Sequence, residues 1–327
     1  MTALVSQRAL DVHHDEPGDR PVLRARFEEN GSPRYVLYTI KKFGLDHDAG
    51  FHLDVELVAD DIEDDLETVE AKLQHGDADL IDIDYVSTAR ERADGAPIVG
   101  IYPYGRTVGG LVVPNDSPIE GIADLAGHRV GVVRRLDKNW ILTRAACRAS
   151  HDYDPDEDAE VIEAGSKSGL TAMLERGEVD AALQFWQLIP AIVDGGEYRE
   201  VLPMSELVQR LSATDEKIPV STFLTTESYL EDNPEAIRGF REAYREAVDR
   251  LQRDDDLWRE LGAEMMDGAD EAVVTAVRDG WREMVVRDWN DETVAGMHRL
   301  FEHLHDVAGT DVLGVDHIPD GTFRLEV

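Results

Sequence analysis

Short apolar runs alternate with amphipathic stretches along most of the chain, which predicts an α/β protein with a largely parallel sheet. The first unit of this alternation covers residues 22–114. Its predicted strands are 22–27, 53–58, 78–84, 96–102 and 109–114, and its predicted helices are 32–44, 63–75 and 85–94. The sequence PNDSP at 114–118 then predicts a turn and a crossover.

A second unit of the same kind follows. Its predicted strands are 128–134, 159–165 and 179–185, and its predicted helices are 122–127, 138–150, one that ends at Arg176 and one that starts at Trp186. Residues 217–226 have the pattern of a strand that returns to the first unit. Beyond Tyr229 the pattern is helical, with predicted helices over 233–252, 270–286 and 292–307.

This order predicts a discontinuous first lobe, 21–113 and 221–327, with a second lobe, 114–220, inserted into it. Two crossings, near Val113 and Pro219, would join the lobes and leave a cleft between them. Residues 1–20 are predicted to form a disordered arm, because they contain the polar run HHDEPGD. Two lobes on two strand-like connections are typical of a protein that closes on a ligand.

The charge balance is strongly acidic, with 33 Lys and Arg against 69 Asp and Glu, so the formal net charge is −36. Such a surface repels nucleic acid and anionic membrane, which excludes both as expected partners. Only six of the 33 basic residues are Lys. An acid-rich, Lys-poor chain is what we expect of a halophilic protein working in molar salt, where screening shortens to about 3 Å.

No apolar stretch reaches the length of a membrane span, and residues 1–20 lack the apolar core of an export signal. The sequence as written therefore predicts a cytoplasmic protein without membrane insertion. A leader upstream of this start would make the location extracytoplasmic. The single cysteine, Cys147, lies within a predicted helix, so we expect a buried and inert thiol.

Four stretches of the chain are similar to one family, and they are GDADLIDIDYVSTARERADGAPIVGIY (76–102), GLVVPNDSPIEGIADLAGHRVGVV (110–133), MLERGEVDAALQFWQ (173–187) and TTESYLEDNPEAIRGFREAYREAVD (225–249). In this order and spacing they resemble the solute-binding proteins of nitrate, sulfonate, taurine and thiamine-precursor uptake. The resemblance implies the two-lobed type II periplasmic-binding-protein fold, here with two hinge crossings and a C-terminal helical cap. It also implies capture of a small-molecule ligand and an ABC permease as partner.

The most informative charge pattern is a local reversal between His128 and Arg148, which holds six basic residues and one acid. It spans a predicted strand end and helix N-terminus, where free N–H groups favour an anion. Strand ends supply the candidate ligand-binding residues: Ser32, Arg34, Tyr35, Asp84, Tyr85, Ser87, Arg106, Arg134, Lys138, Asn139, Trp140, Gln184 and Trp186. Arg134, Lys138 and Asn139 are expected to hold a sulfonate, carboxylate or similar group. Arg144 and Arg148 are expected to pair with acids instead.

Enzymatic chemistry has little support in the sequence, because no G-x-S-x-G, P-loop or H-E-x-x-H motif is present. We therefore predict no catalytic residue, no cofactor and no metal, and expect His298, Glu302 and His305 to form a solvated helix face. Pyrimidine synthases of similar fold carry Lys and His in the segment that matches IDIDYVST (81–88), which has neither. Another cytosolic enzyme of small-metabolite chemistry on this fold, or a ligand sensor, is the alternative function.

Overall fold

A computed structural model of the chain describes residues 2–11, 16–59, 69–106, 109–212 and 218–326. The strands are β1 (Val22–Glu28), β2 (His52–Val58), β3 (Ile81–Asp84), β4 (Ile98–Gly105), β5 (Gly109–Pro114), β6 (Arg129–Val132), β7 (Glu160–Glu163), β8 (Ala181–Phe185), β9 (Tyr198–Pro203) and β10 (Ser221–Thr226). The helices are α1 (Thr2–Asp11), α2 (Arg34–Phe43), α3 (Leu45–Asp48), α4 (Val69–His75), α5 (Tyr85–Ala93), α6 (Lys138–His151), α7 (Pro155–Asp158), α8 (Lys167–Glu175), α9 (Ile189–Asp194), α10 (Met204–Ser212), α11 (Glu227–Asp232), α12 (Pro234–Arg253), α13 (Asp255–Met265), α14 (Glu271–Met284), α15 (Asp291–Ala308) and α16 (Thr310–Leu313), with a 3-10 turn at Ile122–Asp124.

The strands form two mixed sheets, one in each lobe. In lobe I, β1 pairs with β2 in parallel, a parallel bridge from Ala25 to Leu80 joins β1 to the start of β3, and β10 lies antiparallel between β3 and β4. In lobe II the order is β7-β6-β8-β5-β9, with β5 antiparallel to both of its neighbours. Four strands of each sheet therefore run one way and one runs against them, so the predicted α/β class is confirmed.

The lobe boundary at Val113 is corrected by the pairing of β5. All five residues from Gly109 to Val113 are buried, and the strand is hydrogen-bonded to β8 and β9 of lobe II. The first crossing therefore lies between Gly105 and Gly109. The continuous apolar run of β5 is equally suited to the interior of either sheet, and only its pairing partners distinguish them.

The predicted disordered arm is also corrected for residues 2–11, which form α1. This helix covers the outer edge of the lobe I sheet, where the side chain of Gln7 donates to Val55 O at 3.1 Å and accepts from the Leu57 N–H at 2.8 Å. Ala9 and Leu10 are buried against the lobe I core. An exposed strand edge carries unpaired backbone groups, and α1 satisfies two of them. Residues 12–15 of the arm lie outside the described residues.

The C-terminal cap is divided between the lobes. Helices α12, α13 and α14 bury Phe240, Trp258 and Trp281 in the lobe I core. Helix α15 instead packs against α6 and α10, and its Phe301 shares a core with Trp140 of lobe II. The assignment of all of 221–327 to lobe I is therefore corrected for α15 and α16. Helix α13 and the pair β9 and α10 were not predicted from the sequence.

Three chain segments pass between the lobes side by side at the end of β4. Gly105 O accepts from the Val220 N–H at 2.7 Å, Arg106 N–H donates to Met284 O at 2.9 Å, and Val286 N–H donates to Tyr104 O at 2.9 Å. The third segment, between α14 and α15, adds a crossing to the two expected. None of the helices in the described part of the chain is both long and apolar enough to span a bilayer.

The same clamp occurs in both lobes, where it fastens β1 to the residues before β3 in lobe I and β6 to the residues before β8 in lobe II. Arg24 in β1 donates to both oxygens of Asp79, at 2.6 and 2.8 Å, and to the Gly76 carbonyl at 2.7 Å. Arg129 in β6 makes the same contacts with Asp180 and with the glycine three residues before it. The motifs GDAD (76–79) and GEVD (177–180) are thus equivalent elements of an internally repeated architecture.

We expect Asp79→Asn to lower the free energy of unfolding by about 2 kcal/mol, because it removes the charge from a buried carboxylate that accepts two hydrogen bonds from the partly exposed Arg24. Urea unfolding in constant molar KCl measures this. The control, Asp77→Asn, lies two residues away on the exposed surface and should change stability by less than about 0.5 kcal/mol. Equal stability of the two variants would show that the clamp contributes nothing.

Candidate ligand-binding cleft

A cleft of about 300 Å³ lies between the lobes, at the carboxyl ends of strands from both sheets. Lobe I contributes the ends of β1, β3 and β4, and lobe II contributes the turn after β6, the first turns of α6 and α8, and the end of β8. Six of the residues predicted from the sequence line it, namely Ser32, Asp84, Ser87, Arg134, Lys138 and Trp186. The strand ends that the sequence predicts therefore meet at this cleft, and ligand binding by these six residues stays a prediction.

The lobe I wall is a network of fixed polar groups. Asp84 caps α5, and its carboxylate accepts from the Ser87 N–H at 2.8 Å and the Ser87 hydroxyl at 2.7 Å. Arg90 donates to the same Ser87 hydroxyl at 2.7 Å. The buried Tyr104 hydroxyl donates to Ser32 Oγ at 2.7 Å. These side chains are held in place by one another and need no ligand to order them.

The lobe II wall presents two cations with no partner of their own. Arg134 follows β6, and its buried Nε has no hydrogen-bond partner. Lys138 begins α6 and places its Nζ 5.2 Å from the centroid of the Phe185 ring. Neither side chain forms a hydrogen bond or an ion pair with any residue that the structure describes. Both cations are therefore available to a ligand in the cleft.

The other basic residues of the segment 128–148 are paired within the protein. Arg129 belongs to the lobe II clamp, and Arg135 pairs with Asp156 outside the cleft. Arg144 and Arg148 both donate to Asp154, with shortest contacts of 2.7 and 2.6 Å. Most basic residues of this segment are thus paired with acids, as expected for Arg144 and Arg148. Among the described residues, only Arg134 and Lys138 of the segment lack such a partner.

Arg144 and Arg148 together lower the pKa of the Asp154 carboxyl group that lies between them. Burial by itself would raise the pKa of Asp154, but the hydrogen bonds from Arg144 and Arg148 outweigh this and lower that pKa to about 2. A carboxyl whose pKa is lower in the folded state stabilises the fold above its unfolded pKa. That contribution is lost as the pH falls through the folded value.

We therefore expect Asp154→Asn to reduce the free energy of unfolding by about 1–2 kcal/mol at pH 7, a value discounted for solvent screening, and by about half as much at pH 3. Chemical denaturation at the two pH values measures the difference. Asp152→Asn is the matched control, because Asp152 is exposed and its left-handed backbone conformation suits asparagine. A pH-independent difference between these variants would contradict the pairing.

Sequence reasoning missed Lys167, which joins the two walls. Its Nζ contacts the Glu28 carboxylate and lies 3.3 Å from Asn30 Oδ1, both in lobe I. Beside it, Gln187 Nε2 donates to Asn30 O at 3.0 Å. Burial lowers the pKa of Lys167, whereas the Glu28 carboxylate favours the charged ammonium. The sequence signal that could have identified Lys167 is its position at the start of α8, directly after the capping residue Ser166 that follows β7.

Asp82, which also lines the cleft, was missed as well. It lies two residues before Asp84 in β3, so the two side chains share a face of the strand. Burial raises the pKa of Asp82 to about 7, although the nearby Lys138 ammonium opposes the shift. The alternation I-D-I-D (81–84) was the signal that could have identified both carboxylates together.

Three predicted residues lie behind the cleft because they hold other elements together. Arg34 donates to Met265 O at 3.1 Å and to Glu29 O at 2.8 Å, which ties α2 to the end of α13. Tyr35 packs against a tryptophan of α13, with ring centroids 5.6 Å apart. Arg106 pairs with Glu283 at the end of α14.

Four more predicted residues point into the cores. Tyr85 lines a small apolar void together with leucines of α15. Trp140 is fully buried and donates to Asp156 at 3.1 Å. Asn139 is buried as well and does not line the cleft, so its expected role in holding the anion is corrected. Gln184 donates to Lys167 O at 3.0 Å. The position of a strand end predicts which helix N-terminus lies at the cleft. Successive residues of that helix point about 100° apart, so only packing decides which of their side chains faces the ligand.

The cysteine and the one compact group of potential metal ligands among the described residues lie outside the cleft lining. Cys147 is buried, as predicted, and burial raises its pKa to about 11, which disfavours the reactive thiolate. Asp46, His47 and His52 form a compact group in lobe I, where Asp46 already accepts from Lys41 Nζ and the Leu53 N–H, each at 2.9 Å. The group is an internal hydrogen-bonded cluster remote from the cleft lining.

The two five-stranded mixed sheets with one reversed strand each, separated by a ligand-sized cleft, define the periplasmic-binding-protein fold. The alkanesulfonate-binding protein SsuA from Xanthomonas axonopodis pv. citri, bound to MOPS, matches with a TM-score of 0.73 at 16% identity, over 95% of this chain and 99% of that one. The periplasmic aliphatic sulphonate binding protein SsuA from Escherichia coli matches with a TM-score of 0.68 at 19% identity, over 94% of each chain. A Candida albicans protein described as defining a new family with this generic fold matches with a TM-score of 0.67 at 12% identity, over 94% of this chain and 97% of that one.

The TM-scores show that these proteins and this chain share a fold, and at such low identities the likeness shows the fold alone. The sequence profile of the NMT1/THI5 like family matches residues 47–256, which is more than half of the chain. The chain therefore belongs to the NMT1/THI5-like family. No curated protein sequence matches it significantly.

Proposed function

We propose that this protein is a solute-binding protein that captures a small anionic organic ligand, such as a sulfonate or a carboxylate, between its lobes for ABC-type uptake. The observation that carries the proposal is the pair of cations, Arg134 and Lys138, that lie in the cleft without a partner among the described residues. A guanidinium and an ammonium on one wall are suited to the oxygens of one acidic group. The Xanthomonas and Escherichia coli proteins are described as binding sulfonates, which supports the same ligand class.

The way in which the lobes are joined suggests how ligand capture would close the cleft. The lobes are joined by backbone segments around Gly105, and they touch across the cleft through Lys167 with Glu28 and Gln187 with Asn30. A ligand that contacts both walls stabilises the arrangement in which these contacts form, so it shifts the population of lobe arrangements towards closure. Binding is then coupled to a shape that a membrane partner can recognise.

The partner and the location are part of the same proposal. Uptake by an ABC permease requires the protein on the outer side of the membrane, whereas a cytosolic sensor or enzyme would act inside the cell. Fractionation of the producing cells, followed by detection with a specific antibody, separates the two locations. Recovery in the cytoplasm alone would exclude the transport role and favour a cytosolic ligand sensor or an enzyme.

Ligand binding is tested directly by thermal unfolding in molar KCl, with a panel of sulfonates, carboxylates, phosphorylated metabolites, nitrate and pyrimidines at constant ionic strength. A ligand at about 100 times its Kd adds about 2.7 kcal/mol to the free energy of unfolding, which raises Tm by a few degrees. Recovery of the ligand unchanged supports a binding protein. Recovery of a chemically altered ligand would replace the proposal with an enzyme on the same fold.

For any anion that binds in this assay, we expect Lys138→Ala to raise Kd about tenfold, because it removes a charge-assisted contact. Titration calorimetry measures the change. The Tm without ligand should be nearly unchanged, since Lys138 forms no ion pair with a residue that the structure describes. Arg135→Ala is the matched control, because this neighbouring arginine pairs with Asp156 outside the cleft and should leave Kd unaltered. Equal affinities of both variants and wild type would exclude the anion site.

A further inference from the structure

We infer that a latch between the lobes holds this protein closed without any ligand, and that Lys167 is the positioning residue at the centre of this latch. The latch consists of Glu28 and Asn30 in lobe I together with Lys167 and Gln187 in lobe II. The inference goes beyond the proposed function, because it concerns the resting shape of the protein and not the molecule that it binds.

The latch lies at a distance from the crossings between the lobes. Glu28 ends β1 and Asn30 follows it, whereas the chain passes between the lobes at the end of β4. Strands β3 and β10 lie between β1 and β4 in the lobe I sheet. Neighbouring strands are about 4.8 Å apart, so the latch is about 14 Å from the crossings along the sheet. Opening of the lobes about the crossings therefore pulls the latch residues apart.

Lobe II holds its two latch residues in fixed positions. Lys167 is the first residue of α8, and Ser166 caps this helix by accepting from the Gly169 N–H at 2.9 Å. Gln184 Nε2 donates to Lys167 O at 3.0 Å, which ties the start of α8 to β8. Gln187 comes two residues after the end of β8. Because both residues start from an ordered backbone, the latch costs little conformational entropy when it forms.

The contacts of the latch join groups of the protein alone. Lys167 Nζ donates to the Glu28 carboxylate and lies 3.3 Å from Asn30 Oδ1. Gln187 Nε2 donates to Asn30 O at 3.0 Å. The Lys167 side chain is buried in this arrangement, and a buried ammonium is costly without an acidic partner. Glu28 therefore compensates the charge that closure would otherwise leave desolvated.

A neighbouring cation makes this acidic partner more important. The centroid of the Phe185 ring lies 4.7 Å from Lys167 Nζ and 5.2 Å from Lys138 Nζ, so lobe II holds two ammonium groups beside one ring. Like charges this close disfavour each other, and an acid nearby relieves the repulsion. Glu28 supplies that acid only when the lobes meet. Closure is therefore favoured by the charges of lobe II before a ligand arrives.

Small-angle X-ray scattering of the ligand-free protein in molar KCl tests the latch, with mass spectrometry of the denatured sample to check that no small molecule has been retained. Burial lowers the pKa of Lys167 to about 7, so the measurement is made at pH 6, where the ammonium is charged. We expect wild type to have the radius of gyration of the closed lobes, roughly 20 Å for a compact chain of this length. Lys167→Met and Glu28→Gln should each raise it by about 1 Å, because the lobes then rotate apart about the crossings.

The matched controls are Arg176→Met and Glu178→Gln, which break an exposed ion pair within lobe II and should leave the radius unchanged. The exchanged variant, Lys167→Glu combined with Glu28→Lys, should return the radius to the wild-type value, since it restores the pair with its charges reversed. If Lys167→Met does not fold, Glu28→Gln and Gln187→Ala decide the test, because each removes one contact of the latch and keeps Lys167.

A wild-type protein that is already expanded without ligand would overturn the inference, and so would latch variants that keep the wild-type radius. Neither result would affect the proposed function, because a ligand that bridges the walls would still close the cleft by itself. Failure of the proposed function would appear instead in the thermal-unfolding panel, where no anion would raise Tm.

Discussion

The geometry of the cleft depends on the backbone hydrogen bonds around Gly105. Here the end of β4, the segment before β10 and the segment after α14 lie side by side as they pass between the lobes. A Cβ on Gly105 would overlap Met284 Sδ, so any larger residue here would require the buried Met284 side chain to move. Because every crossing is tied to its neighbour, the two walls meet at a fixed place, and strand ends from two separate sheets form one site.

Internal pairing decides which charges of this acidic chain are available for function. Most arginines in the segment 128–148 are engaged by acids, and the two clamps use Asp79 and Asp180 in equivalent positions of the two lobes. Pairing of this kind holds charged side chains in one geometry, and it removes them from the set that a ligand can use. The few charges left without partners in the cleft then define its specificity, because each would cost free energy if it stayed desolvated and uncompensated.

The contacts between the two cleft walls also influence how much binding free energy a ligand must supply to close the cleft. Lys167 with Glu28 and Gln187 with Asn30 favour contact between the lobes through groups of the protein itself. A ligand that bridges the walls adds its own interactions to these, and only the part that differs between open and closed arrangements shifts the balance. Residues beside the ligand, such as Lys167, can therefore alter affinity without touching it.

The sequence by itself determined the α/β class, most strand and helix positions and the strand ends that meet in the cleft, because periodicity and turn residues are local properties. It could not determine that β5 belongs to lobe II, that α15 packs there too, or that α1 covers a strand edge, since these depend on partners distant in the chain. The same limit applied to the site. Arg134 and Arg135 are adjacent and identical in type, yet one faces the cleft and the other pairs with Asp156. Only the tertiary structure decides which charges find partners, because pairing depends on distances between residues far apart in sequence.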